Sequence, residues 1–385
     1  MPSPSYPLHS RGCVSLRSTD SIQAMCAHVC TNSRNYSMKR TPTHPDSPAP
    51  RAAPAVQRVT ARDLAERIGV ATSTVTRAFD KQSRISAELR QRIVAMADEM
   101  GYRPNAIARS LNQRKTGIVA LVMGDMSNPF YPTALEEFSL QLRRTGRQLL
   151  LFVVPPGGDA DELMPELLQY QVDAVVVTAA RLSSHMSELC GRQGVPLVFV
   201  NRRVEDPTVW SVCCDNQRMG TVVAEYLVST KRSDCAFVSG DPSISTTADR
   251  LRGFEHGLAM HGQRLVACEQ GGYTYEGGRA AAARLFGAGQ PAVDAVFCAN
   301  DAMALGVLSH LRMNTLLRVP EDVAVVGFDD IRDAAYPENG LTTVHQPVSE
   351  MIDCAIRLLD QGRPGGSVAE ALREIPGRLV LRSSA

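Results

Sequence analysis

The sequence predicts an α/β protein with a small N-terminal helical headpiece and a larger body built from doubly wound parallel sheets. Short helical patterns flank Gly69-Val70, and beyond Gly117 apolar strands alternate with amphipathic helices. The chain has 385 residues and is 44% hydrophobic, which is enough for a small domain and a two-lobed α/β core. These three observations fix the predicted fold class.

The headpiece begins with a helix that Thr60 can cap, and Asp63 follows three residues later in the first turn. Gly69 suits the end of this helix, because a left-handed residue is favoured there. Val70 then fills the angle before a second helix from Thr72 to Phe79. The pattern is a helix-turn-helix.

A third helix, Ser86 to Met100, begins at a good capping residue and ends at Gly101. The second helix leaves four side chains outward, three of them hydroxyls and one a guanidinium that can bond guanine O6 and N7 in a fork. These are Thr72, Ser73, Thr76 and Arg77. A helical hairpin this short also occurs in proteins that never touch DNA, so alone it leaves both interpretations open.

Charge favours the DNA interpretation. Between Arg58 and Lys115 there are twelve Lys or Arg against six Asp or Glu, a net charge near +6, whereas the whole chain carries +1. Basic charge concentrated in one segment attracts phosphates.

Eight motifs in order extend this pattern over most of the chain. They are GVATSTVTRAFD, GYRPNAIARSL, SNPFY, NRR, DRLRGF, ANDAMALG, VVGFDD and LTTVHQP. In this order they resemble the lactose and purine repressor family, the LacI/GalR type. The resemblance implies a headpiece at residues 58–103, a hinge helix and linker at 104–116, and a two-lobed body at 117–385, like periplasmic sugar-binding proteins.

The resemblance also implies DNA contacts. Thr72, Ser73 and Arg77 would read the major groove, and Thr60, Ser86 and Asn105 would contact phosphates. The segment from Asn105 to Asn112 corresponds to the hinge helix, which would insert Leu111 into the minor groove and kink the duplex. Without the surrounding match, Leu111 would be interpreted as an ordinary linker leucine.

Two residues depart from the family pattern. Ala71 stands where a serine usually caps the recognition helix, which removes about 1 kcal/mol of stabilisation unless Thr72 takes the cap. Asp80 stands where an asparagine is usual, and a carboxylate near phosphates weakens binding.

In the body, polar residues follow the ends of the predicted strands, where parallel sheets place their ligands. Amides, carboxylates and a guanidinium beside aromatic rings suit a polyhydroxylated ligand. By resemblance, the effector-contacting residues are Arg250, Asn300, Asp329 and Gln346, with Phe130 and Tyr273 as aromatic walls and Asn128 and Asn201 as further candidates. Alternatively, Asn300 and Asp329 only cap the structures that follow them. The stretch from Asp173 to Thr178 is interpreted as a core strand without chemistry.

Residues 1–57 are rich in Pro, Ser, Thr and Arg, and we expect them to be disordered. They have no counterpart in the family, so one interpretation is that the translation start is mis-set and that Met38 is the true start.

Cys26, His28 and Cys30 are interpreted as accidental neighbours, and no metal or other cofactor is expected. We also expect a cytoplasmic protein, because there is neither a signal core nor a membrane-spanning apolar run and the cysteines lack disulfide-framework spacing.

The sequence therefore predicts a homodimeric DNA-binding transcriptional regulator that acts as a repressor. It would bind palindromic operator DNA under the control of a small effector, a sugar or sugar acid, without contact with a membrane. An enzyme is disfavoured, because the sequence lacks a nucleophile elbow, a Walker loop and a dinucleotide fingerprint. The alternatives are a ligand-unresponsive regulator and a transport-type sugar-binding protein, which would need an export signal and no headpiece.

Overall fold

The computed structural model describes residues 59–80, 83–104, 115–124, 126–155, 158–178, 183–287 and 292–385. The predicted disordered extension at 1–57 lies outside these residues. So does the predicted hinge helix, with Asn105 and Leu111.

Three helices form the headpiece: α1 (Ala61–Ile68), α2 (Thr72–Ala78) and α3 (Ala87–Met100). Thr60 and Asp63 form a capping box at the start of α1, and Gly69 ends it with a φ of 79°. Between the helices lies a small apolar core, because helical spacing places one residue per turn inward. Its most buried members are Leu64, Ala65, Val75, Ala78, Ile93 and Ala97.

The first lobe of the body contains a six-stranded sheet whose order is β11-β5-β4-β3-β1-β2. Its strands are β1 (Ile118–Met123), β2 (Gln148–Val153), β3 (Ala174–Thr178), β4 (Leu197–Val200), β5 (Trp210–Cys214) and β11 (Leu372–Ile375). Its helices are α4 (Phe130–Arg144), α5 (Met164–Gln169), α6 (Ser184–Arg192), α11 (Val348–Leu359) and α12 (Val368–Ala371), with a 3-10 turn at Ala160–Glu162. All of its strand pairs are parallel, as the continuous apolar runs predict.

The second lobe repeats this topology, with the sheet order β12-β10-β9-β8-β6-β7. Its strands are β6 (Cys235–Ser239), β7 (Ala267–Gln270), β8 (Ala295–Cys298), β9 (Ala324–Asp329), β10 (Thr342–His345) and β12 (Arg378–Val380). Its helices are α7 (Asn216–Ser229), α8 (Ser245–Met260), α9 (Tyr275–Leu285) and α10 (Asp301–Asn314), with a 3-10 turn at Arg332–Ala335. The pair β10–β12 is antiparallel, and the other pairs are parallel.

The chain crosses between the lobes after β5, after β10 and after β11, and these crossovers meet at Gly377. A Cβ there would lie 2.9 Å from the Cys214 Sγ and 3.0 Å from the His345 carbonyl oxygen. The Asp215 amide donates to the Ile375 carbonyl oxygen at 3.0 Å, which ties two crossovers together. The absence of a side chain at Gly377 therefore lets the three crossovers pack closely.

No helix in the described part of the chain is long and apolar enough to cross a bilayer. The strands themselves are apolar because they are buried on both faces by helices, as in β3 and β6, where every residue is buried.

Close packing of α7 against α8 leads to the first prediction. A Cβ at Gly253 would lie 1.9 Å from the Gln217 carbonyl oxygen, so Gly253→Ala requires the two helices to separate. Overpacking of this kind costs about 1–3 kcal/mol or more, and we expect a lower midpoint in urea unfolding. Gly365→Ala is the control, because a Cβ there has no neighbour within 4 Å. Equal midpoints for the two variants would contradict the prediction.

Candidate DNA-contacting surface and effector cleft

The exposed face of α2 carries Thr72, Ser73, Thr76 and Arg77, as the sequence predicts. The Thr76 hydroxyl donates to the Thr72 carbonyl oxygen at 3.1 Å, and the Arg77 Nε donates weakly to the Ser73 carbonyl oxygen at 3.4 Å. Ala71 is the N-cap residue of α2 and supplies no side-chain hydrogen bond. The amides at the start of this helix are therefore not capped by a side chain of Ala71.

Arg90 of α3 holds the end of α2, a role that the sequence analysis did not identify. Its guanidinium donates to the carbonyl oxygens of Ala78 at 2.9 Å, Asp80 at 2.6 Å and Ser83 at 2.9 Å. One side chain thereby donates to three carbonyl groups at and beyond the end of α2, and the Asp80 carbonyl oxygen also accepts from the Ser83 hydroxyl at 2.9 Å. Arg90 fixes the orientation of α2 rather than adding to its exposed face.

Thr60 and Ser86 are both helix caps. The Asp63 amide donates to the Thr60 Oγ1 at 3.3 Å, and the Leu89 amide donates to the Ser86 Oγ at 3.2 Å. Both residues are exposed at helix N-termini, where backbone amides favour an anion. Their expected phosphate contacts are compatible with this position.

A cleft between the two lobes contains about 460 Å³ of empty space, part of it open to solvent. Each lobe contributes residues that follow its strands. The cleft is lined by Asn128, Tyr131, Asn201, Arg202, Ile244, Thr246, Arg250, Tyr273 and Asp329.

Arg250 is the most constrained polar residue of the cleft, with a relative exposure of 2%. Its Nε donates to the Asn216 Oδ1 at 2.8 Å, and its Nη1 donates to the Ala299 carbonyl oxygen. The guanidinium carbon lies 3.6 Å from the centroid of the Phe328 ring, and Nη1 lies 3.8 Å from the Asp329 Oδ1. The protein thus compensates a buried positive charge by hydrogen bonds, a ring face and a nearby carboxylate.

Asp329 faces the cleft from the end of β9, with Asp301 behind it. Burial raises the pKa of Asp329 above its usual range, and the positive charge of Arg250 partly offsets this effect. Burial also raises the pKa of Asp301, and the nearby Asp329 charge raises it further. Asp301 accepts hydrogen bonds from the Thr343 hydroxyl at 2.5 Å and from the Ile331 amide at 2.9 Å.

Asn300 does not line the cleft and is fully buried. Its Oδ1 accepts from the Met303 amide at 3.0 Å, so it caps α10, and its Nδ2 donates to the Tyr273 carbonyl oxygen at 3.2 Å. Of the two interpretations left open for Asn300, the capping role is the one visible here. It also holds the backbone of Tyr273, which lines the cleft and whose hydroxyl lies 2.5 Å from the Thr247 Oγ1.

Six buried side-chain polar atoms of the described residues lack a hydrogen-bond partner, and two of them belong to residues that line the cleft. Among the described residues, the Asn201 Oδ1 and the Arg202 Nε are buried atoms without a hydrogen-bond partner. An unpaired buried donor or acceptor costs free energy unless a ligand or water binds it. Asn201, Tyr273 and Asp329 also have φ angles of 58°, 64° and 125°, which non-glycine residues rarely adopt. Strain of this kind concentrates at functional sites.

A second cavity of about 810 Å³, also partly open, lies on the other side of Asp329. Two residues that the sequence assigns to the effector site, Phe130 and Gln346, line this cavity. The Gln346 Nε2 donates to the Asp329 Oδ1 at 2.7 Å, and its Oε1 is buried without a partner. Both residues therefore border Asp329 without lining the first cleft.

The structure brings Tyr131, Arg202, Ile244 and Thr246 to the cleft, and the predicted set omits all four. Arg202 directly follows the predicted Asn201 at the end of β4, where strand-end position indicates it. Tyr131 lies one position after the predicted Phe130 on α4, and the strand pattern does not distinguish the two. Ile244 and Thr246 stand at the start of α8, where the sequence gives no comparable indication. Within the described ranges, no group of three or more His, Cys, Asp or Glu side chains could hold a metal ion.

Comparisons with known proteins find matches for both the headpiece and the body of the chain. Residues 60–105 match the family model described as bacterial regulatory proteins of the lacI family, and residues 116–363 match the model of periplasmic binding proteins and the sugar-binding domain of the LacI family. The transcriptional regulator CelR of Thermobifida fusca is 32% identical, and the match covers 85% of this chain and 96% of CelR. The regulator AscG of Escherichia coli K12 is 29% identical, with 84% and 97% covered.

Solved structures are similar over the same range. A CelR–cellobiose complex has a TM-score of 0.62 and 28% identity, and the match covers 85% of this chain and all of that chain. The lac repressor dimer bound to operator and the anti-inducer ONPF has a TM-score of 0.74 at 23% identity, with 85% and 99% covered, which supports the fold. With both family models matched in order and more than half of its length covered, the chain belongs to the LacI family of bacterial transcriptional regulators.

Proposed function

We propose that this chain is a homodimeric repressor in the cytoplasm that binds a palindromic operator of about twenty base pairs. Its domains are a headpiece at residues 58–103, a connector at 104–116 and a body at 117–385. The effector is a small sugar or sugar acid bound in the cleft. The relatives are described as transcriptional regulators, which supports a role without catalysis.

The exposed face of α2 carries the DNA-binding half of this proposal. Thr72, Ser73, Thr76 and Arg77 project from a helix that Arg90 holds in place. A recognition helix works in this way, because side chains on one exposed face reach base edges in the major groove. Thr60, Ser86 and Asn105 would add phosphate contacts, and Leu111 would enter the minor groove.

The unpaired Asn201 Oδ1 and Arg202 Nε are the single observation that best supports an effector in the cleft. A hydroxylated ligand can donate to the amide oxygen and accept from the guanidinium, so binding would satisfy both. Arg250 and Asp329 offer a charged donor and acceptor on the opposite lobe. The solved relative CelR binds cellobiose, which supports a carbohydrate or related acid.

Effector and operator would act on each other by linkage. If the effector favours one arrangement of the lobes and the operator favours another, each ligand weakens or strengthens the other by the same factor. Coupling free energies of this kind are typically about 1–3 kcal/mol. The connector between headpiece and body would transmit the difference.

The DNA-binding half is tested by Arg77→Ala in the full chain. A guanidinium in a fork with guanine contributes about 1–3 kcal/mol of discrimination, so we expect preference for a duplex selected by the wild type to fall about tenfold or more. Salt-sensitive binding to random DNA should persist, because phosphate contacts remain. Arg62→Ala is the matched control, since Arg62 is exposed on α1 and pairs with Glu66. Gel-shift competition measures the ratio, and unchanged selectivity in Arg77→Ala would refute the assignment.

The effector half is tested by Arg202→Gln, with thermal-shift screening against sugars and sugar acids. Ligand raises the melting midpoint by mass action, and loss of a charged hydrogen bond weakens binding about tenfold or more. Arg203→Gln is the matched control, because the Arg203 guanidinium pairs with Glu205 and Asp249. Arg250 is unsuitable as the first probe, since its removal would also break contacts with Asn216 and Ala299. An identical ligand-induced shift in Arg202→Gln and the wild type would exclude Arg202 from the effector site.

A further inference from the structure

The two lobes contain the same tetrapeptide, VDAV, at the same place in their topology. It occupies residues 172–175 at the start of β3 and residues 293–296 at the start of β8. In each copy the aspartate precedes the strand, and its carboxylate accepts hydrogen bonds from the backbone that leads into the first strand of the lobe. The sequence interpretation of residues 173–178 as a core strand holds from Ala174 onward, and Asp173 lies directly before β3.

In the second lobe, the Asp294 carboxylate binds two consecutive backbone amides of the same lobe, and we call this contact a clasp. Its Oδ2 accepts from the Ser233 amide at 2.9 Å, and its Oδ1 accepts from the Asp234 amide at 3.0 Å. Ser233 and Asp234 join α7 to β6, so this contact closes a loop inside one lobe.

In the first lobe, Asp173 makes the same contact with different residues. Its Oδ1 accepts from the Thr116 amide at 2.8 Å, and its Oδ2 accepts from the Gly117 amide at 2.9 Å. The Thr116 hydroxyl adds a further contact, at 3.1 Å from the Asp173 Oδ1 and 2.9 Å from the Gln171 carbonyl oxygen. Three donors from two consecutive residues thus converge on this carboxylate and the carbonyl group beside it.

The difference between the two copies is what each one holds. Asp294 holds a turn between two elements of the same lobe, whereas Thr116 and Gly117 are the last residues before β1 and follow the stretch that leads from the headpiece. In the first lobe the clasp therefore fixes the point at which the connector joins the sheet.

We propose that Asp173 is a positioning residue that anchors the connector to the first lobe and so sets the geometry in which the headpiece binds its operator. This inference rests on the proposed function. Two headpieces of a dimer must fit two half-sites at a fixed separation, and a firm attachment raises the effective concentration of the second headpiece once the first has bound. A loosened attachment lowers it without changing any residue that touches DNA.

Asp173→Asn tests this role in the full chain. Asparagine has the same shape, but one of its two terminal groups is an NH2 that cannot accept from a backbone amide. The charge-assisted bonds are lost as well, and these are the stronger kind. Asp294→Asn is the matched control, because it removes the same contact from the same motif in the lobe that the connector does not join.

The DNA probe is a duplex selected by the wild type from a random pool, with random duplex as the competitor. We expect Asp173→Asn to bind the selected duplex about tenfold more weakly, the factor that corresponds to about 1.4 kcal/mol, while binding to random duplex stays unchanged. Asp294→Asn should keep the affinity of the wild type for both. Thr116→Val, which removes only the hydroxyl, should weaken selected-duplex binding in the same direction by a smaller factor and decides the matter if Asp173→Asn does not fold.

Melting midpoints separate positioning from stability. A purely structural clasp lowers the midpoint and the operator affinity equally in Asp173→Asn and Asp294→Asn, and that result would overturn the inference. Full selectivity in Asp173→Asn, or in Thr116→Val where only that variant folds, would also overturn it, with the proposed function left intact. A wild type that selects no duplex over random DNA would instead overturn the proposed function and this inference together.

Discussion

Burial of the Arg250 guanidinium is the constraint on which the cleft depends. A charge with 2% exposure is tolerated only when hydrogen bonds and an opposite charge surround it, and here Asn216, Ala299 and Asp329 supply them. Asn216 lies at the start of α7, so Arg250 can reach it only if α8 packs closely on that helix. Gly220 allows this approach, because a Cβ there would lie 2.4 Å from the Arg250 carbonyl oxygen. The close packing of α7 against α8 therefore also determines where Arg250 lies in the cleft.

The crossovers place this arrangement beside the other lobe. Gln346 lies in the crossover after β10, and its Nε2 donates to the Asp329 Oδ1 at 2.7 Å. One carboxylate at the edge of the cleft is thereby connected both to Arg250 and to the strand that leads into the first lobe. Gln346 directly follows His345, whose carbonyl oxygen lies beside Gly377 at the junction of the crossovers. Under the proposed function, a ligand beside Asp329 would therefore lie one hydrogen bond from the segment that joins the lobes. This is a short physical route by which occupancy of the cleft could alter lobe geometry.

Sequence reasoning recovered the alternation of apolar strands with amphipathic helices. The sequence predicts continuous apolar strands beyond Gly117, and strands such as β3, β4 and β8 are of this kind, because helices cover both faces of the sheet. Strands β5, β7 and β12 were not identified: β5 is buried but contains Ser211 and two cysteines, β7 is half exposed, and β12 has three residues. In the cleft, strand-end position predicted Asn128, Asn201 and Asp329. It did not distinguish Phe130 from Tyr131, because the rotation of α4 decides which ring faces which cavity.

Asp173 shows a different limit of sequence reasoning. The two VDAV copies are identical in sequence, and both aspartates accept two backbone amides at nearly equal distances. Secondary-structure propensity and hydrophobic periodicity therefore predict the same structural role for Asp173 and Asp294. Their consequences differ because the clasped residues differ: Asp294 restrains a turn that the lobe already surrounds, whereas Asp173 restrains the end of a segment that leads elsewhere. The same local contact can affect regulation only if the residues that it holds belong to a segment that reaches another part of the protein. The topology of the chain shows which segment that is, and the local sequence does not.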